Sequence, residues 1–102
     1  MTKGYWVAMV DVTDPEGYKE YVAANRAALR THGARFLTRG GSMEVHEGAV
    51  RARVVVVEFP SLQAAKDCYH SPEYVAAMAM RAGRSIMDLA IVEGYPGVQP
   101  TD

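Results

Sequence analysis

Hydrophobic and polar residues recur along this chain with two periods, one typical of strands and one typical of helices. Over Gly4–Val12 both alternating sets are largely apolar, which predicts a strand covered on both faces. Residues 51–59 contain four consecutive valines and are apolar on both sides, so they predict a central strand. Residues 86–95 predict the last strand of the same sheet.

Three helices are predicted from helical spacing and from their boundary residues. The first begins at Pro15, carries Tyr18, Tyr21, Val22, Asn25 and Leu29 on one face, and ends at Gly33. The second runs from the residue after Ser61 to Tyr69. The third begins at Pro72 and stops at Gly83. The predicted capping side chains are Asp14, Ser61 and Ser71.

Between the first helix and the valine strand, the pattern predicts a hairpin of two short strands. These are residues 34–39 and residues 43–47, with Gly40-Gly41 as the turn between them. Gly48 predicts a second turn, which leads into the valine strand.

The order of elements predicts an α+β fold, a ferredoxin-like antiparallel sheet with helices on one face. Helices on one face leave Tyr5, Val7, Met9 and half of the valine strand on the other. An apolar sheet face of that size normally finds a partner, and a two-fold homodimer is the commonest solution. We therefore predict a homodimer that pairs the two sheets face to face.

Composition narrows the class of protein. The 102 residues fit a single domain over residues 1–96, followed by a flexible tail at 97–102 that is rich in proline and glycine. Hydrophobic residues make up 49%, enough for a packed core, and the net charge of −1 argues against a nucleic-acid partner. Neither a signal peptide nor a membrane span is evident, so we predict a cytoplasmic protein with no membrane partner.

Several short motifs together resemble a known family. They include "KGYWVAMVDVTDPEGYKEYV", "HGARFLTRGG", "HEGAVRARVVVVEFPS", "AAKDCYHSPEYVAAMAMR" and "IVEGY". Combined, they resemble domain of unknown function 1330, a bacterial family of the dimeric α/β-barrel superfamily. The resemblance covers residues 3–95 and implies the ferredoxin-like dimeric barrel. It does not imply one reaction, because the superfamily includes cofactor-free monooxygenases, isomerases, cyclases and haem enzymes.

Glu47 and Arg53 form the first candidate site, since they fall on neighbouring predicted strands. One hypothesis makes Glu47 a catalytic general base and Arg53 the group that holds an anionic substrate. The alternative is a cross-strand ion pair that only ties the sheet together.

Tyr74 and Arg81 form the second candidate site. They are seven residues apart and therefore share a helical face. In the functional hypothesis Tyr74 is catalytic, while Arg39, Arg81 and Tyr21 bind substrate around a cavity between sheet and helices. In the alternative, Tyr74 packs on the sheet, Arg81 reaches solvent or a carboxylate, and Arg39 lies at the surface beside a tight turn.

No cofactor is predicted, and no metal, because His32, His46 and His70 lack a ligand spacing and Cys68 stands alone. Two functions remain open. One is a cofactor-free enzyme or binder that acts on a small acidic or aromatic molecule. The other is a non-enzymatic dimeric module that senses a ligand or has a structural role, and its mark would be a filled core.

Overall fold

The computed structural model describes residues 2–102. Four strands and three helices follow one another as β1 (Gly4–Val12), α1 (Pro15–Thr31), β2 (Arg35–Arg39), β3 (Arg53–Phe59), α2 (Leu62–His70), α3 (Pro72–Met80) and β4 (Ser85–Glu93). The predicted valine strand therefore starts two residues later than expected, and the last strand is shifted toward the N-terminus by one to two residues.

The four strands form one antiparallel sheet in the order β2-β3-β1-β4. The two strands that the pattern marks as apolar on both faces, β1 and β3, are the central pair. Since β3 lies between β1 and β2, the first β-α-β unit is split, as the ferredoxin-like plan requires. The predicted α+β ferredoxin-like fold is confirmed.

The helix boundaries follow the predicted capping chemistry. The side chains of Asp14, Ser61 and Ser71 each accept a hydrogen bond from a backbone N–H in the first turn of the helix that follows. At the other end, Gly33 and Gly83 have φ of 72° and 73°, the left-handed conformation that glycine adopts without steric cost.

The predicted hairpin between 34–39 and 43–47 is wrong in its second half. Strand β2 pairs directly with β3, and residues 40–52 form an exposed irregular segment in which 43–47 is not a strand. Gly40 does make the turn, with φ of 68°, and its N–H bonds to the carbonyl of Val54 at 3.1 Å. Strand β2 thus takes β3 as its neighbour, and residues 40–52 form the connection between the two strands.

The hydrophobic core lies between the sheet and the three helices. Trp6 is its centre: its ring centroid lies 5.0 Å from that of Phe59 and 4.8 Å from that of Tyr74, and its indole N–H donates to the carbonyl of Ala65 at 2.9 Å. Tyr69 packs edge-on against the same indole. These contacts tie β1 and β3 to α2 and α3 through one side chain.

The opposite face of the sheet is not covered by any element of the described chain. Its apolar side chains are Tyr5, Val7, Met9, Val54, Val56, Ile86, Ala90 and Val92, which the strand register places side by side. Ile86 and Val92 are about half exposed. We name the eight apolar residues of this uncovered side the open face. Because the helices are confined to the other side, the molecule is only 16 Å thick in its shortest dimension.

None of the helices within residues 2–102 is both long enough and apolar enough to cross a membrane.

Cys68 is fully buried on α2, and burial raises the pKa of its thiol to about 12. The folded protein therefore favours the neutral thiol. This contribution to the free energy of unfolding is fully present below the ordinary thiol pKa near 9 and is lost as pH rises toward 12.

At pH 8 we expect a thiol-specific disulfide reagent to leave native Cys68 unmodified over an hour, and to react at once in denaturant. Stoichiometric labelling of the native protein would contradict this burial.

Candidate functional site: an arginine-lined cavity

A small internal cavity lies between α1 and the helix-facing side of the sheet. Its volume is about 50 Å³, room for about three to five waters at 10–15 Å³ each. The walls are largely apolar and aromatic, and five lining residues carry polar groups: Asn25, Arg39, Arg53, Tyr18 and Tyr21. No acidic residue within residues 2–102 lines the cavity.

Two guanidinium groups, those of Arg39 and Arg53, line the cavity beside Tyr18 and Tyr21. A third, that of Arg81, lies 5.5 Å from the centroid of the Tyr21 ring. Burial raises the pKa of the Tyr18 hydroxyl, and the neighbouring Tyr21 raises it further, whereas Arg53, Arg81 and Arg39 each lower it. The structure therefore places Arg39 and Arg53 in the cavity wall and Arg81 against one of its lining tyrosines.

The local chain geometry positions Arg39 and Arg53 at the cavity. Both point to the helix-facing side, Arg39 opposite Val55 on the neighbouring strand. The guanidinium of Arg39 lies over the ring of Phe36, 4.1 Å from its centroid. Gly40 permits this crowding, because a Cβ at that position would lie 2.7 Å from Nε of Arg53.

Tyr74 lies behind the cavity rather than in its wall. Its side chain is fully buried, and its hydroxyl shares a hydrogen bond of 2.5 Å with that of Tyr21, which does line the cavity. Burial raises the pKa of Tyr74 far above its usual range, and Tyr21 adds to this while Arg81 opposes it. Tyr74 therefore remains a neutral phenol that fixes the orientation of the Tyr21 hydroxyl.

Arg81 closes the helix end of the same cluster. It follows the last turn of α3, and its guanidinium lies 5.5 Å from the centroid of the Tyr21 ring. Its Nε is buried and has no hydrogen-bond partner within residues 2–102. The guanidinium therefore has donor capacity that the described protein does not use.

The structure does not bring Glu47 to this site. Glu47 is exposed in the irregular segment 40–52, and the predicted ion pair with Arg53 across a hairpin is absent among residues 2–102 because 43–47 is not a strand. The arginine that does form ion pairs in this region is Arg51, which bonds Asp88 at 2.7 Å and Asp11 at 3.0 Å. Arg53 is left without a carboxylate.

Two residues at the cavity, Tyr18 and Asn25, were absent from the predicted site, although both were placed on the buried face of the first helix. Asn25 is only 7% exposed and lines the cavity, and no hydrogen bond within residues 2–102 engages its amide. The sequence did contain a signal for Asn25. It is a polar amide at helical spacing within an otherwise apolar or aromatic face, and a buried amide needs a hydrogen-bond partner.

An open groove of about 710 Å³ runs along the outside of α1 and meets the cavity. Cavity and groove share five lining residues: Val22, Asn25, Leu29, Phe36 and Arg39. The groove adds Arg26, Arg30 and Lys19 to the positive charge, and no acidic residue of the described part of the chain lines it. We call it the outer groove.

Within residues 2–102, no group of three or more His, Cys, Asp or Glu side chains is arranged to hold a metal ion.

The fold and this cavity define a small α+β protein with a ferredoxin-like sheet and a cavity between sheet and helices that Arg39 and Arg53 line. The family model for domain of unknown function 1330 (DUF1330) matches residues 3–95, nearly the whole chain. The protein belongs to that family. No curated protein sequence matches the chain significantly.

Solved structures share the fold at low sequence identity. A protein of unknown function from Rhodopseudomonas palustris, RPA0582, is 16% identical with a TM-score of 0.69, over 97% of this chain and 85% of that one. SnoaB, a cofactor-independent oxygenase from Streptomyces nogalater, is 12% identical with a TM-score of 0.62, over 98% and 99%. A dimeric protein of unknown function from Bacteroides fragilis is 16% identical with a TM-score of 0.52, over 89% and 95%.

Proposed function

We propose that this protein binds a small acidic aromatic molecule and holds it as an anion beside Arg39, Arg53 and Arg81. The observation that carries the proposal is that Arg39 and Arg53 line the cavity and Arg81 lies against its lining residue Tyr21, while no carboxylate within residues 2–102 lines it. Within residues 2–102 none of the three forms an ion pair, whereas Arg51 and Arg84 do. An anionic ligand would supply the missing negative charge in a poorly solvated site, where such contacts are strong.

The same geometry supports a cofactor-free reaction on the bound anion. A phenol or enol ionises more readily beside fixed positive charge, and the resulting anion is the electron-rich species that oxygenation or isomerisation requires. The hydroxyl of Tyr21 would donate a hydrogen bond to the ligand. Tyr74 would orient that hydroxyl through the hydrogen bond between the two phenols. The similarity in fold to a cofactor-independent oxygenase supports this reaction class, although shared fold does not determine chemistry.

Binding without turnover is the second candidate, and a specific observation favours it. No carboxylate or imidazole within residues 2–102 lines the cavity, so the described site has no side chain suited to be a general base near neutral pH. Native mass spectrometry of the protein purified from its own host identifies a retained acid, and liquid chromatography of that acid after incubation with the protein separates the two candidates. A binder returns the acid unchanged, whereas an enzyme converts it into a product with a different retention time.

We also propose that two copies pair through the open face to form a homodimer. The support is the row of apolar side chains on central strands that nothing else covers. The relative from Bacteroides fragilis is described as dimeric. The cavity and the outer groove lie on the helix-facing side of the sheet, so this pairing leaves both accessible.

The binding proposal is tested with 4-nitrophenol, whose anion is yellow. Bound beside the three arginines, the phenol should ionise about 1 to 3 pH units below its pKa in buffer. Its pH titration is followed by absorbance at saturating protein concentration. Arg53→Met should abolish most of the shift, while the same change at Lys66, an exposed residue of α2, should leave it intact.

A bound phenol with an unchanged or raised pKa would refute the proposal, because burial alone raises the pKa of a phenol. Thermal unfolding of Arg53→Met checks that the fold is retained. Titration of Arg39→Met, whose guanidinium lies at the more exposed rim, gives a second measurement if the first variant does not fold.

A further inference from the structure

We infer that the ligand carries a second anionic group, and that Arg26 and Arg30 bind this group in the outer groove. The inference rests on the proposed function, since it extends the ligand of the arginine-lined cavity outward along α1.

The first reason is unbalanced charge. Arg26 and Arg30 are four residues apart on α1, so they lie on the same helical face, where two like charges repel each other. Neither forms an ion pair within residues 2–102, whereas Lys19, which also lines the groove, pairs with Glu16 at 3.1 Å. The protein as a whole has a net charge of −1, so this positive surface is a local feature rather than a consequence of composition.

The second reason is that cavity and groove form one continuous space. Asn25 lies at their junction, and its side chain lines both spaces. Its amide is the polar group at the junction, and it can both donate and accept a hydrogen bond. A ligand that passes Asn25 reaches from the cavity into the groove.

The third reason is size. A cavity of about 50 Å³ holds only a small polar head, whereas ligand pockets for small molecules are typically about 300–1,000 Å³. The body of an aromatic ligand must therefore lie in the groove, against the apolar junction residues Val22, Leu29 and Phe36. Its far end then lies among Arg26 and Arg30, whose forked donors suit a carboxylate or a phosphate.

Three probes test the inference: 1,4-phenylenediacetate, its monomethyl ester, and 4-(carboxymethyl)phenyl phosphate. Ester and diacid share one carboxylate and the aromatic body and differ in the second charge. We expect isothermal titration calorimetry at low salt to show the diacid bound about tenfold more tightly than the ester. A still tighter phosphate ester would identify the second group as a phosphate, and a weaker one as a carboxylate.

The double substitution Arg26→Gln with Arg30→Gln should reduce the tenfold preference to about twofold and leave ester affinity unchanged. Lys3→Gln with Lys66→Gln removes the same charge outside the cavity and the groove and should preserve the preference. Equal affinity of ester and diacid for the wild-type protein would refute the second anion site while the proposed function stands. Failure of every probe to bind would refute the proposed function as well.

Discussion

Replacing Val7 by Asp is expected to convert a homodimer into a monomer. Val7 lies in the middle of the open face on central strand β1, between Val56 on β3 and Ala90 on β4. A two-fold axis would bring two such carboxylates into one interface, and burying each without a partner costs several kcal/mol. Against an interface of roughly 2,000 Å² or more, this should raise the dissociation constant by at least about a thousandfold.

Sedimentation velocity at micromolar concentration measures this effect. Val75→Asp is the matched control, because Val75 is an exposed valine on α3, on the helix side of the sheet. It should leave the dimer intact. A wild-type monomer, or a Val7→Asp protein that sediments as the wild type does, would contradict pairing through the open face.

Replacing Trp6 by Ala is expected to lower the free energy of unfolding by about 3–5 kcal/mol. The indole is 3% exposed, contacts Phe59, Tyr69 and Tyr74, and donates to the carbonyl of Ala65. Its removal leaves a cavity and a buried carbonyl without its donor. Since a domain of this size is typically stable by only about 5–15 kcal/mol, the variant should unfold at much lower urea concentration.

Two further variants make this measurement specific. Trp6→Phe retains much of the ring packing and loses the indole N–H, so it should cost less than Trp6→Ala by about 1–3 kcal/mol. Tyr95→Ala removes an aromatic ring that is 69% exposed and should change the free energy of unfolding by less than about 0.5 kcal/mol. A Trp6→Ala effect as small as that of Tyr95→Ala would show that the core is not organised around the indole.

The cavity site was only partly predictable. The three arginines and Tyr21 could be nominated because guanidinium groups and phenols are conspicuous among apolar neighbours. The sequence could not show that Tyr74 stands behind Tyr21, since two residues 53 positions apart meet only through the packing of α1 against α3. Nor could the sequence show that Glu47 does not pair with Arg53, because the predicted ion pair depended on residues 43–47 forming a strand, and they do not.

The sequence alone determined the elements whose signals are local. The alternation in β1, the valine run in β3 and the caps at Asp14, Ser61 and Ser71 each act within a few residues, so they fix strands and helices without reference to the rest of the chain. The apolar character of both faces of β1 also pointed to a second covering layer, since such a surface is costly in water.

Only the tertiary structure decided which strands pair and which arginines lie at the cavity. Residues 43–47 have strand-like alternation, but β2 pairs with β3 instead, and a local pattern does not show which of two candidate segments becomes the neighbour of a strand. Arg39 and Arg53 come from neighbouring strands and line one cavity, and Arg81 at the end of α3 lies against the ring of Tyr21, which lines the same cavity. Long-range proximity of this kind is a property of the packed chain, and no local pattern encodes it.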